Sequence, residues 1–111
     1  MKWKIKIMGA CWVYKLLSEM EFLAEHPDCE DSDALTLPGK REIHFKIGEV
    51  SAGTIRHELR HAYTAELCLD SADITAAQME EIQCTLDQNR WEEMHNLAHK
   101  MLVALEKHSK I

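Results

Sequence analysis

The sequence predicts a small α+β domain: one strand, one helix and a β-hairpin, followed by three helices. Three observations carry that reading. "KWKIKIM" alternates strictly, with Trp3, Ile5 and Ile7 on one face and three lysines on the other, the period of a half-buried strand. "ALTLPGKREIHFKI" places a Pro-Gly pair between two β-prone runs. From Ser51 onward, apolar residues recur at three and four positions and the strand period disappears.

Taken in order, the first strand is followed by "ACWVYKLLSEMEFLAE", Ala10 to about Glu25. Here Val13, Leu16, Leu17, Met20 and Leu23 give a helical repeat that Pro27 ends. "HPDCEDSD" is acidic and reads as a surface loop. In the hairpin, Ile43, Phe45 and Ile47 alternate with Glu42, His44 and Lys46, which leaves His44 as exposed strand decoration. The second helix carries Ile55, Leu59, Ala62 and Leu67, with Ser51 or Thr54 able to cap its start. Asp70 to Ile74 breaks the pattern. Thr75 with Gln78 forms a capping box for a third helix, and Asn89 with Glu92 repeats the signature before a fourth.

At 111 residues the chain is read as a single domain, 1–111, with room for one modest core. A formal net charge of −6 leaves no electrostatic footprint for a phosphate backbone, so nucleic acid is not an expected partner. Lysines and glutamates interrupt the apolar N-terminal run before it reaches membrane length, so neither a span nor a signal peptide is expected. Cys11, Cys29, Cys68 and Cys84 lack C-x-x-C spacing, and three of the four sit in apolar stretches that read as helical, which suits reduced, buried thiols of a cytoplasmic protein. Trp3, Trp12 and Trp91 are expected in the core.

The motif that carries chemistry is "RHELRH". On a helix, His57 and His61 lie one turn and about 40° apart, so both imidazoles can reach one ion at ~2.0–2.1 Å. Glu58 falls on the adjoining face. It is poorly placed to ligate the same ion and well placed to take a proton from a water there. Zinc lowers the pKa of such a water to about 7. Two imidazoles and an adjacent carboxylate therefore point to hydrolysis of an amide, most naturally a peptide bond.

A catalytic zinc needs a third protein ligand and one open position. No third histidine follows at the extended H-x-x-G-x-x-H spacing, since Leu67 stands there. "MEEIQCT" is the best source. Glu81 comes far enough after His61 for one helix to end and the next to return, Cys84 is small enough for close helix approach, and Thr85 can hydrogen-bond a ligand histidine. Glu80 is the competing carboxylate, and His95 or His99 on the last helix is a further source. Candidate transition-state donors are Tyr63, Arg60, His95 and His99.

From the hairpin through "IRHELRHAY" and "MEEIQCT" to the last helix, the chain resembles the zincins. More narrowly it resembles minimal gluzincin-like metallopeptidases of the ImmA/IrrE type, carried by phages and mobile elements. The resemblance covers roughly Ile43 to Leu105. It implies a small zincin-like domain with zinc held by His57, His61 and Glu81 and with Glu58 as general base. It also implies a peptide or protein substrate, with "REIHFKI" as an edge for strand addition. The downstream helix lacks the E-x-x-A-[DN] pattern of related families. The alternative is a zinc-binding regulatory or interaction domain that keeps the ligands and cuts nothing.

Overall fold

A computed structural model describes residues 1–68 and 75–109. It is a mixed α+β domain whose elements run β1 (Lys2–Ile7), β2 (Ala10–Leu17), α1 (Glu19–Glu25), β3 (Ala34–Leu37), β4 (Glu42–Lys46), α2 (Ala52–Cys68), α3 (Ala76–Asn89) and α4 (Trp91–Ser109). The four strands form one sheet in the order β1-β2-β4-β3. The expected break at Asp70 to Ile74 lies outside the described residues.

The helix expected over Ala10 to Glu25 is a strand followed by a short helix. Met8 and Gly9 both take positive φ, 52° and 82°, and join Ile7 directly to its partner Ala10 in a two-residue turn. Such turns match the twist of the flanking strands, and a glycine removes the steric cost at one of the two positions. Once the chain reverses, Trp12, Tyr14 and Leu16 alternate inward along β2. Ser18 then caps α1 through a reciprocal box with Glu21.

β2 also pairs in parallel with β4, Tyr14 opposite Ile43 and Leu16 opposite Phe45. These side chains join Ile7 and Trp12 on one face of the sheet. Against them pack Ile55, Leu59, Ala62 and Tyr63 of α2, Leu86 of α3, and Met94, Ala98, Met101 and Leu105 of α4. The opposite face of β2 and β4 is covered by α1, whose Phe22 is fully buried and whose ring carries the Lys46 ammonium 5.0 Å from its centroid. Because β4 is flanked on both sides it is buried almost throughout. His44 is only 1% exposed, which corrects its reading as surface decoration. β4 is therefore not an edge for strand addition either; the edges are β1 and β3, of which β3 neighbours β4.

Two further expectations are revised. Trp12 is fully buried and Trp3 packs half-buried at the rim of the core, stacked on Tyr14, but Trp91 is 49% exposed at the start of α4. Cys11 and Cys84 are exposed and Cys29 half-buried, all three unpaired, so their thiols are free but not core residues. The Thr75–Gln78 capping box forms as expected. Asn89, however, ends α3, and the chain breaks at Arg90, whose carbonyl accepts the first bond of α4 from Met94.

α2 is braced to the sheet by Glu66, whose Oε1 accepts from Trp12 Nε1 and from Arg41 Nε, each at 2.7 Å. The Arg41 hydrogen bond holds the Glu66 carboxyl below its usual range, helped by Trp12 and opposed by burial. A carboxyl depressed in the folded state stabilises fully above its unfolded pKa of about 4.3, and that contribution is lost as pH falls through the folded value. Thermal melts should therefore show stability falling on acidification below about pH 4.3, and Glu66→Gln should flatten this acid limb. An unchanged limb in the variant would remove the brace from the account.

Candidate functional site

Ser51 caps α2 by accepting from the Thr54 backbone N–H at 3.1 Å. The apolar stripe of α2 turns Ile55, Leu59 and Ala62 into the core, which fixes where the remaining faces point. His57 and His61 come out exposed on the rim, with Glu58 between that rim and the core, 6% exposed. The two imidazole Nε2 atoms stand 3.1 Å apart, with ring centroids 4.7 Å apart and planes at 84°. Ligands about 2.05 Å from a tetrahedral ion lie about 3.3 Å from each other. The pair is thus already close to a shared-ion spacing.

The Glu58 carboxylate is set from the sheet. Thr36 on β3 donates its hydroxyl to Glu58 Oε1 at 2.9 Å and approaches the Glu58 carbonyl oxygen at 3.1 Å. Thr36 was not among the residues singled out from the sequence. It stands 22 positions upstream, and nothing in the local pattern marks it.

His57, Glu58 and His61 share a cleft of about 690 Å³, walled on one side by Ala34, Leu35, Thr36 and Pro38 and on the other by Thr64 and Ala65, with Met79 and Gln83 contributed by α3. A second hollow of about 380 Å³ continues past His57 and Glu58 toward Ser32, Asp33 and Thr54. The cleft therefore follows the edge strand, with the H-E-x-x-H residues along its length.

Glu81 does not join the pair. Met79, Ile82 and Gln83 are half-buried and Leu86 is buried, so they define the inward face of α3, while Glu80 and Glu81 are exposed. At 100° per residue, Glu81 falls roughly opposite Met79. Among the described residues, no third histidine, cysteine or carboxylate ligand atom gathers with those of His57 and His61 within 4.8 Å of one another. Thr85 donates to the Glu81 carbonyl rather than to a histidine.

The donor candidates are also placed. Arg60 is held by Asp87 of α3 through two contacts from one nitrogen, 2.9 and 3.1 Å. Tyr63 is fully buried in the core, and burial, with the Glu93 carboxylate second, pushes its phenol well above the ordinary value. His95 is exposed and stacks on Trp91, and His99 is exposed on the same helix. None of the four lines the cleft.

Among the described residues no helix is long and apolar enough to cross a membrane. Compared with family models, curated proteins and solved structures, the chain matches none.

Proposed function

We propose that the chain is a small zinc-dependent peptidase whose ion is held by His57 and His61 and whose general base is Glu58. The observation that carries this reading is the convergence of the two Nε2 atoms to 3.1 Å beside a nearly buried carboxylate, in a cleft that follows an edge strand. When bound, zinc supplies a Lewis acid for the scissile carbonyl and an acidified water. The chain's own groups do the rest. The open side of β3 offers backbone N–H and C=O groups to a peptide lying extended along the cleft. Glu58, kept in place by Thr36, takes the proton of the attacking water and returns it to the leaving amine. A cytoplasmic setting, with a protein substrate in a phage or mobile element, completes the proposal.

Glu81 is the third ligand that sequence order proposes, and to reach the pair α3 would have to turn about its axis, since Met79 and Gln83, not Glu81, line the cleft. Its exposure on α3 favours a second reading, a zinc-binding regulatory domain that keeps two imidazoles and cuts nothing. One comparison separates them. Zinc content after metal-free purification and reloading should be lost from this site in His57→Ala, and Glu81→Gln should weaken zinc where Glu80→Gln does not. Equal zinc in His57→Ala and parent rejects the site, while full retention in Glu81→Gln together with absent cleavage favours the second reading.

Thr36 acts through Glu58 and is a positioning residue. Thr36→Val removes the donor to a carboxylate that is nearly buried, at a cost of about 1–3 kcal/mol. The expected result is a kcat lowered by roughly tenfold or more at nearly constant KM, restored by Thr36→Ser. An unchanged kcat, with or without a rise in KM, or no rescue by serine, would remove Thr36 from this role.

A further inference from the structure

On the face of the sheet away from α2, a second group of ligand atoms converges. His26, at the C-terminal end of α1, places Nε2 2.9 Å from Nδ1 of His44 on β4. Glu25 Oε2 stands 3.3 Å from the same His44 nitrogen. All three ligand atoms lie within 4.8 Å of one another. The other nitrogen of His44, Nε2, is 2.8 Å from Glu42 Oε1, and Lys15 Nζ lies 3.2 Å from that carboxylate oxygen.

The arrangement has a definite chemical sense. Glu42 accepts only from a protonated Nε2, so it fixes the His44 tautomer and leaves the Nδ1 lone pair directed at His26 and Glu25. In the neutral ring, that lone pair faces a carboxylate oxygen at 3.3 Å with no hydrogen between them. A His26 Nε2–H can donate to that lone pair at 2.9 Å, and a cation placed among His44 Nδ1, His26 Nε2 and Glu25 Oε2 would engage all three in its stead. A carboxylate that orients the far nitrogen of a ligating histidine is the usual support of a metal-bound imidazole. The spacings of 2.9 and 3.3 Å are within a few tenths of an ångström of the ~3.3 Å between ligands of a tetrahedral zinc. His44 is buried, His26 half-buried and Glu25 exposed, so the group opens to solvent on the Glu25 side, from which water would complete a tetrahedral set.

We propose that Glu25, His26 and His44 form a second divalent-cation site, suited to zinc by its two imidazoles and one carboxylate, that ties the end of α1 to the centre of the sheet. It is independent of the His57–His61 pair, which lies on the other side of the sheet, and its role is structural.

The test uses the full chain carrying His57→Ala and His61→Ala, so that the first pair is gone. This protein is freed of metal and titrated with zinc sulfate against a chromophoric chelator that masks weak surface sites. One equivalent should bind, and the melting temperature should rise by roughly 10 °C at zinc a hundredfold above Kd. Adding Glu42→Gln should weaken binding about 10–100-fold. His26→Gln and Glu25→Gln, both at solvent-accessible positions and so compatible with folding, should each abolish the equivalent while far-ultraviolet circular dichroism stays unchanged. No bound zinc in the His57/His61 double variant overturns the proposal and leaves a hydrogen-bonded network only. Undiminished binding in both His26→Gln and Glu25→Gln overturns it equally.

Discussion

Zinc-saturated Glu58→Gln protein is expected to cleave peptides about 10²–10⁴-fold more slowly than the parent while still holding its metal. The substitution is nearly isosteric, and the amide oxygen can still accept from Thr36, so the side chain should keep its place. What it loses is the capacity to accept a proton from water. The measurement is fragment release from a peptide library, followed by mass spectrometry, with zinc content determined on the same samples. Cleavage within about threefold of the parent would remove Glu58 from the chemistry. Loss of metal along with activity would instead mean that the carboxylate serves the ion's site rather than the proton transfer.

The second large effect concerns the core. Phe45 is fully buried on β4 at the centre of the sheet, edge-on to Tyr14 with centroids 6.5 Å apart. Phe45→Ala should cost about 3–5 kcal/mol, the transfer of the ring plus a cavity that rigid strands on both sides cannot close. Against a total stability of about 5–15 kcal/mol for a domain of this kind, that is a large share. Urea unfolding should show the midpoint falling by at least about 1 M with the slope preserved. Ile47→Ala, at the residue directly after the strand and 42% exposed, is the control and should change little. A Phe45→Ala loss below about 1 kcal/mol would mean that the sheet's apolar face is not the main core.

Much of the framework was legible in local signals. The alternation of β1, the Pro-Gly hairpin, the serine cap of α2 and the Thr75–Gln78 box each depend on residues within a few positions of one another, and the structure bears them out. β2 was misread because Val13, Leu16, Leu17 and Met20 mimic a helical repeat. The deciding feature was instead the two-residue turn at Met8 and Gly9, which turns the period of Trp12, Tyr14 and Leu16 into that of a strand.

The site was legible only as far as one helix reaches. His57 and His61 fall on one rim because four residues make about one turn. The rotation of α3 depends on a different stripe, Met79, Ile82 and Leu86, whose spacing was present in the sequence and points Glu81 the other way. Counting residues from His61 fixes reach, not facing. His44 was read as exposed because alternation reports one buried face. Strand β4 has two, the second covered by α1, an element that the longer helix expected there had absorbed.

Thr36 joins β3 to the carboxylate of Glu58 through one hydroxyl, so the strand that would receive a peptide also holds the proposed general base. Free energy exchanged on that strand is felt at the carboxylate, and thermodynamic reciprocity returns the same amount in the other direction. Under the proposed function, a peptide seated in the groove and the carboxylate that serves it would then be linked through one side chain.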